Sequence, residues 1–219
     1  MNSKSLTIIV VSIISTTLSK DFNLHIYTGS QWNHSFKMGI IRVHTTPQFA
    51  VWIEDTLGNY IETIKVTKKS AKSKFIGAKE SRPSALPVWS HKRDTINSYN
   101  NYMPSKETKL VDAVTAASPK GDSTILFTVD DSIIDKGVRL FFEINQSMDY
   151  NDYYRENSKE DDANGQPSLI YSATFKSSDA KTNQSISLIG IGTPTGEISK
   201  STNNLTTALK IVGKISVEW

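Results

Sequence analysis

The amino-acid sequence predicts an all-β sandwich, and three observations carry that expectation. About eight or nine short runs are rich in Val, Ile, Thr, Tyr, Phe and Trp, several of them alternating with a period of two. No stretch sustains the 3.6-residue period of an amphipathic helix. Clusters of Gly, Pro, Asn, Asp and Ser separate the runs, and these are the residues that turns require. Short, turn-punctuated strands each bury one face, and two packed sheets satisfy them all.

Taken in order, Phe22-Asn-Leu-His-Ile-Tyr27 alternates and reads as the first strand. Met38-Gly-Ile-Ile-Arg-Val43 is read as the second, and Phe49-Ala-Val-Trp-Ile-Glu54, just after Pro47, as the third. Asp55-Thr-Leu-Gly-Asn59 places a glycine where a turn needs positive φ, and Tyr60-Ile-Glu-Thr-Ile-Lys-Val66 returns as the partner strand of a hairpin. Over residues 67–121 the pattern dissolves, first into Lys, Ser and Ala and then into Arg82-Pro-Ser-Ala-Leu-Pro-Val-Trp89, whose two prolines exclude a central strand. A long loop excursion is the expectation there, partly packed through Trp89, Tyr99 and Tyr102, and of a length that usually serves function. Alternation resumes at Ser123-Thr-Ile-Leu-Phe-Thr-Val129 and Val138-Arg-Leu-Phe-Phe-Glu-Ile144, two strands expected to flank the core. The acidic stretch 156–162 reads as an exposed loop, and Asn164-Gly-Gln-Pro167 as a turn. Ser168 to Phe175 and Ser185 to Gly190 are further strands, 206–212 a helical turn or short strand, and Lys214 to Trp219 the strand that closes the sheet.

A chain of 219 residues suits one domain with a sizeable core. With 37% hydrophobic and 21% charged residues, the composition is neither that of a disordered chain nor that of a membrane-spanning one. The net charge is +3 and the basic residues are scattered, Lys65 to Lys79 being the one cluster, so nucleic acid is not an expected partner. Lys4, the apolar run 6–14 and the small residues Thr17 and Ser19 form the n-, h- and c-regions of a secretory signal over residues 1–19. The expected mature protein is a single domain, 20–219, carrying the long loop 67–121, and periplasmic or secreted. It contains no cysteine, so neither disulfides nor thiolate ligands support it, and the core alone must hold an exported fold.

Few constellations point to catalysis. The sequence holds no G-x-S-x-G elbow. His25, His34, His44 and His91 lack metal-ligand spacing. Gly190-Ile-Gly-Thr-Pro-Thr-Gly196 lacks the Lys-Ser/Thr of a phosphate loop and reads as a bent strand end. The paired acids Asp130-Asp131 and Asp161-Asp162 sit in turns. Trp89, Tyr99, Tyr102, Tyr150, Tyr153 and Tyr154 come from loops that could surround a planar ring or plug the end of the sandwich. The most specific stretch is Val111-Asp-Ala-Val-Thr-Ala-Ala-Ser-Pro-Lys-Gly121, which fits neither helix nor alternating strand and reads as a loop presenting hydroxyls.

Six blocks together, Phe49 to Asn59, Arg82 to His91, Asp112 to Gly121, Glu143 to Tyr150, Asn164 to Tyr171 and Gly190 to Gly196, resemble an uncharacterised family of bacterial periplasmic proteins across residues of about 40–219. That resemblance implies a periplasmic, immunoglobulin-like β-sandwich related to the flagellar hook-cap domain and carries no settled role. The scarcity of catalytic constellations leads instead to the expectation of a non-catalytic binding or structural module whose long loops contact an unknown protein partner. The Asp112 block also resembles the D-x-x-[ST]-G-A-[ST] flavinylation motif of FMN-binding domains. There Asp112 takes the acid's place, Thr115 that of the first hydroxyl, Ala117 that of the alanine and Ser118 that of the acceptor, while Ala116 stands where the motif has glycine. The likeness implies FMN joined covalently to Ser118 by a Mg²⁺-dependent FAD:protein FMN transferase, with Trp89 or the aromatics of 150–154 beside its ring, in an electron-transfer role.

Overall fold

The computed structural model describes residues 18–38, 40–72, 82–97, 100, 102–104, 110, 114–156, 164–176, 178–179 and 183–219. Strands β1 (Ser19–Thr28), β2 (His34–Met38), β3 (Ile41–Thr45), β4 (Gln48–Asp55) and β5 (Tyr60–Thr67) come first, then helix α1 (Lys68–Lys72). Helix α2 (Pro87–Lys92), strand β6 (Val114–Ala116), strand β7 (Ser123–Asp130) and helix α3 (Asp131–Ile134) follow. The chain continues through β8 (Val138–Asn145), β9 (Leu169–Phe175), β10 (Gln184–Ser185), β11 (Ser187–Gly192) and β12 (Ile198–Ser199). A 3₁₀ turn (Ala208–Lys210) and β13 (Val212–Glu218) complete it.

Two sheets form the expected all-β sandwich, one ordered β10-β13-β1-β7 and the other β12-β11-β9-β8-β4-β5-β6. Pairing is antiparallel throughout both, except that β6 adds to β5 in parallel. Between the sheets lies the main core, with Phe22, Leu24, Ile26 and Val217 from the smaller sheet against Phe49, Val51, Phe142 and Ile144 from the larger. The alternation legible in 22–27 follows from this, since β1 buries every second side chain and leaves the others toward water.

The larger sheet has a second covered face. Ala50, Trp52, Phe141 and Ile170 point away from the main core and pack with Ala71, Leu86, Val88 and Trp89 of the excursion. Both faces of β4 are therefore buried, which is why its apolar run is nearly continuous instead of alternating. The excursion expected as a long loop includes α1, α2 and β6 and acts as a third layer. Pro87 occupies the first turn of α2, where its missing N–H costs nothing.

Other expectations are refined. The run 38–43 is not one strand: a turn at position 40 splits it between β2 and β3. The run 185–190 belongs to both sheets. The chain leaves β13 after β10, crosses at Ile186, whose N–H donates to the Ile215 carbonyl, and joins β9 as β11. β13 lies inside its sheet between β10 and β1 rather than at an edge, and β7 is an edge strand. The acidic stretch, apart from Glu156, Tyr99 and nearly all of the 1–19 segment lie outside the described residues.

Candidate functional site

Between β1 and β4 the chain leaves both sheets. Strands β2 and β3 pair only with each other, through the rungs His34 with Thr45, Ser35 with His44, Phe36 with Val43, Lys37 with Arg42 and Met38 with Ile41. At the tip Ile40 is fully exposed and Ile41 is 60% exposed. A two-stranded ribbon is marginal alone in water, so its base has to be held by something else.

Ser118, Pro119, Lys120 and Asp122 hold it. The Ser118 hydroxyl donates to the Pro47 carbonyl at 2.5 Å, fixing the foot that leads into β4. At the other foot Trp32, buried in the main core, donates its indole N–H to the Pro119 carbonyl at 2.8 Å, and Asn33 donates Nδ2–H to the Lys120 carbonyl at 3.2 Å. Asp122 Oδ1 accepts from the Thr28 amide and hydroxyl at 2.7 and 2.8 Å, and these bonds hold its carboxyl below the usual range. From the far side Gln146 donates Nε2–H to Thr45 Oγ1 at 2.6 Å. Anchored at both feet, the ribbon leaves only its tip free.

The stretch expected to present hydroxyls is thus a brace. Its first described residues are also not a loop: Val114–Ala116 is β6, and Thr115 pairs with Val66. A three-residue edge strand is too short to show alternation, and its backbone pairs with the outer edge of β5. Thr115 and Ala117 are exposed and Ser118 is half-buried, while Asp112 lies outside the described residues. Trp89 stands elsewhere, fully buried in the second core, with its indole N–H donated to Thr63 Oγ1 at 2.8 Å and the Arg93 guanidinium 5.1 Å from its ring. No hydrogen bond or ring contact among the described residues joins Trp89 to Ser118. The loop aromatics are likewise apart: Tyr102 lies against His91 at 4.2 Å, and Tyr153 against Tyr154 at 4.9 Å.

A buried carboxyl that the sequence reading passed over sits under α2. Glu143, on β8, is 0% exposed and accepts from Ser168 Oγ at 2.6 Å, Trp89 N at 2.7 Å and Val88 N at 3.2 Å. Burial pushes it up to about 7, although the three donors favour the charged form. Its signal was visible as an acid inside the apolar run 138–144. Glu54, the buried acid of β4, acts similarly, accepting from Lys92 at 3.1 Å and from Trp52 Nε1 at 2.8 Å. Two of the glycines of 190–196 serve the same seat: a Cβ on Gly192 would lie 2.4 Å from Ser168 Oγ and 2.9 Å from Glu143 Oε1, and one on Gly196 would strike the His91 ring, whereas a Cβ on Gly190 would meet the Ser199 carbonyl. Sealed from solvent, the Glu143 carboxyl fastens α2 to the sheet and meets no substrate.

At the end of the sandwich near the hairpin lies Asp149, buried and raised by that burial, with Thr207 donating to its Oδ1 and His34 opposing the shift. Asp149 Oδ2, Gln146 Oε1 and His34 Nε2 are buried without a protein hydrogen bond. Among the described residues no group of three or more acids and histidines is placed to hold a metal ion, and no helix is long and apolar enough to cross a membrane. Comparison with protein-family models, with curated proteins and with solved structures finds no match.

Proposed function

We propose that this is an exported, non-catalytic β-sandwich that binds a partner through the tip of the β2–β3 hairpin. One observation carries the reading: Ile40 and Ile41 stand in water at the end of a ribbon whose feet are both fastened. Large apolar side chains left exposed on an anchored element suit a docking point, because a preorganised arm loses little conformational freedom on binding. The described part of the excursion covers the larger sheet, whereas the hairpin tip stands in water, which favours the hairpin as the binding arm. Export follows from the signal pattern of residues 1–19, and the immunoglobulin-type relationship from the sequence blocks.

The exposure of Thr115 and Ala117 favours a second reading, in which a transferase reaches the segment and the Ser118 hydroxyl, losing its proton, takes the FMN phosphoryl group from FAD as the pyrophosphate bond breaks and AMP leaves. Bound there, FMN would supply redox chemistry while Ser118 tethered it, and the hydroxyl would give up its bond to Pro47.

One experiment addresses both. A photo-crosslinking residue is placed at Ile40, with Leu57 at the exposed β4–β5 turn as the control, and the purified protein is then weighed intact. Expected are adducts of protein or lipid from position 40 and not from 57, and a mass without added flavin. Absence of any adduct at 40 overturns the binding arm. An added FMN that disappears in Ser118→Ala establishes the second reading in its place.

A further inference from the structure

We infer that the hairpin tip docks on an anionic phospholipid surface, an inference that rests on reading the hairpin as a binding arm. The rungs are ordered by chemistry. Ile40 and Ile41 form the apolar end, and one rung back from Met38–Ile41 stands Lys37 opposite Arg42, both exposed. Neither cation has an acid paired with it among the described ion pairs, and residues 29–47 contain no Asp or Glu. An apolar tip with a cationic collar matches the boundary of a bilayer, where acyl chains take the isoleucines and lipid phosphates meet Lys and Arg on their flexible stems.

Size and backbone chemistry select lipid over protein. Two exposed isoleucines fall far short of the roughly 800 Å² per partner of a specific protein interface, and the collar would pair with only a very acidic one. The outer edges of a two-stranded ribbon carry unpaired N–H and C=O groups that cannot enter hydrocarbon. Insertion therefore stops near the Lys37–Arg42 rung, with the charges at phosphate depth. The contacts of residues 118–122 with both feet keep that rung facing the surface.

Co-sedimentation of the protein purified from its native host tests this, with vesicles of phosphatidylglycerol and phosphatidylethanolamine against vesicles of phosphatidylcholine. Binding is expected to the anionic vesicles and to weaken with salt. Ile40→Asp should lower it roughly tenfold or more, since an apolar insertion is replaced by a charge facing anionic lipid. Lys37→Glu with Arg42→Glu should lower it by at least about tenfold and abolish the preference for anionic vesicles. Leu57→Asp should leave it unchanged. Equal binding to both vesicle types, or full binding by Ile40→Asp, overturns the inference. Crosslinks from position 40 to protein without vesicle binding overturn the lipid surface and leave the binding arm standing, and the absence of both overturns the two together.

Discussion

At the level of single residues the decisive group is Glu143, because an acid with no cation beside it and no path to water has to be there for the fold. Its carboxyl is pushed up to about 7 from an ordinary value of 4.5, first by burial, with Ser168, Trp89 and Val88 opposing. Since the folded pKa lies above the unfolded one, the group's contribution is fully present below pH 4.5 and is lost as pH rises through 7. At full burial the loss is about 3 kcal/mol across that window. Asp149 is raised by burial as well and acts with the same sign. Urea unfolding at pH 5 and pH 8 should show the protein more stable at pH 5, and Glu143→Gln should flatten most of that difference. A protein equally stable at both, or a variant with the same slope, would remove the buried acid from the account. The sequence displayed this residue openly, as the one carboxyl in Val138-Arg-Leu-Phe-Phe-Glu-Ile144, but not its role. Its partners lie 25 and 54 to 55 positions away in the chain, and no local pattern links them.

Single elements were legible where one face of a strand meets water, as in β1, or where a turn carries its own signal. The β4–β5 hairpin is the second case, its turn marked by Gly58 at φ +89° and by Asp55, which caps Leu57 and Asn59. The β2–β3 ribbon was not legible as two strands, because its described side chains are at most half-buried and Met38 to Val43 lacks alternation; the hint was Gly39, a turn residue inside the run. The Asp112 to Gly121 stretch misled for a related reason. Its composition fits a turn, yet Val114 to Ala116 borrow the edge of β5 and Ser118, Pro119 and Lys120 tie down the hairpin, and both arrangements depend on residues 49 to 87 positions earlier. Helix α2 allows a direct test of how closely an element is seated. In Gly192→Ala the methyl would press on Ser168 Oγ, Glu143 Oε1 and Pro87 at once, so the Ser168–Glu143 bond that seats α2 is displaced and Pro87 is crowded. Overpacking of this kind costs about 1–3 kcal/mol, read as a lowered midpoint in urea together with a change in the near-ultraviolet signal of Trp89. Unaltered stability would show that α2 is loosely seated.

The whole molecule is three layers, and the layers rank the stability of its parts. β4 and β8 lie in the middle layer with strands on both sides, the main core on one face and the α2 layer on the other, so opening them exposes both cores at once. β1 has strands on both sides but only one buried face. β7 has a single neighbour and turns Leu126 to water, and β6 holds three residues at the far edge. Amide exchange follows the least costly opening that frees a given N–H, and those costs run from near zero at edges up to the global stability in the centre. The amides of Phe49 to Ile53 and Leu140 to Ile144 should therefore exchange slowest, only on global unfolding, and those of β6 faster by a factor on the order of 100 or more. The paired amides of β7 belong between them, because β1 still secures one of its edges. If β1 and β13 proved slower than β4 and β8, the excursion would add no protection, and the larger sheet would behave as an ordinary half-covered one. The expected order makes the excursion the layer that allows a cysteine-free chain to hold a rigid centre while a braced ribbon stands clear of it.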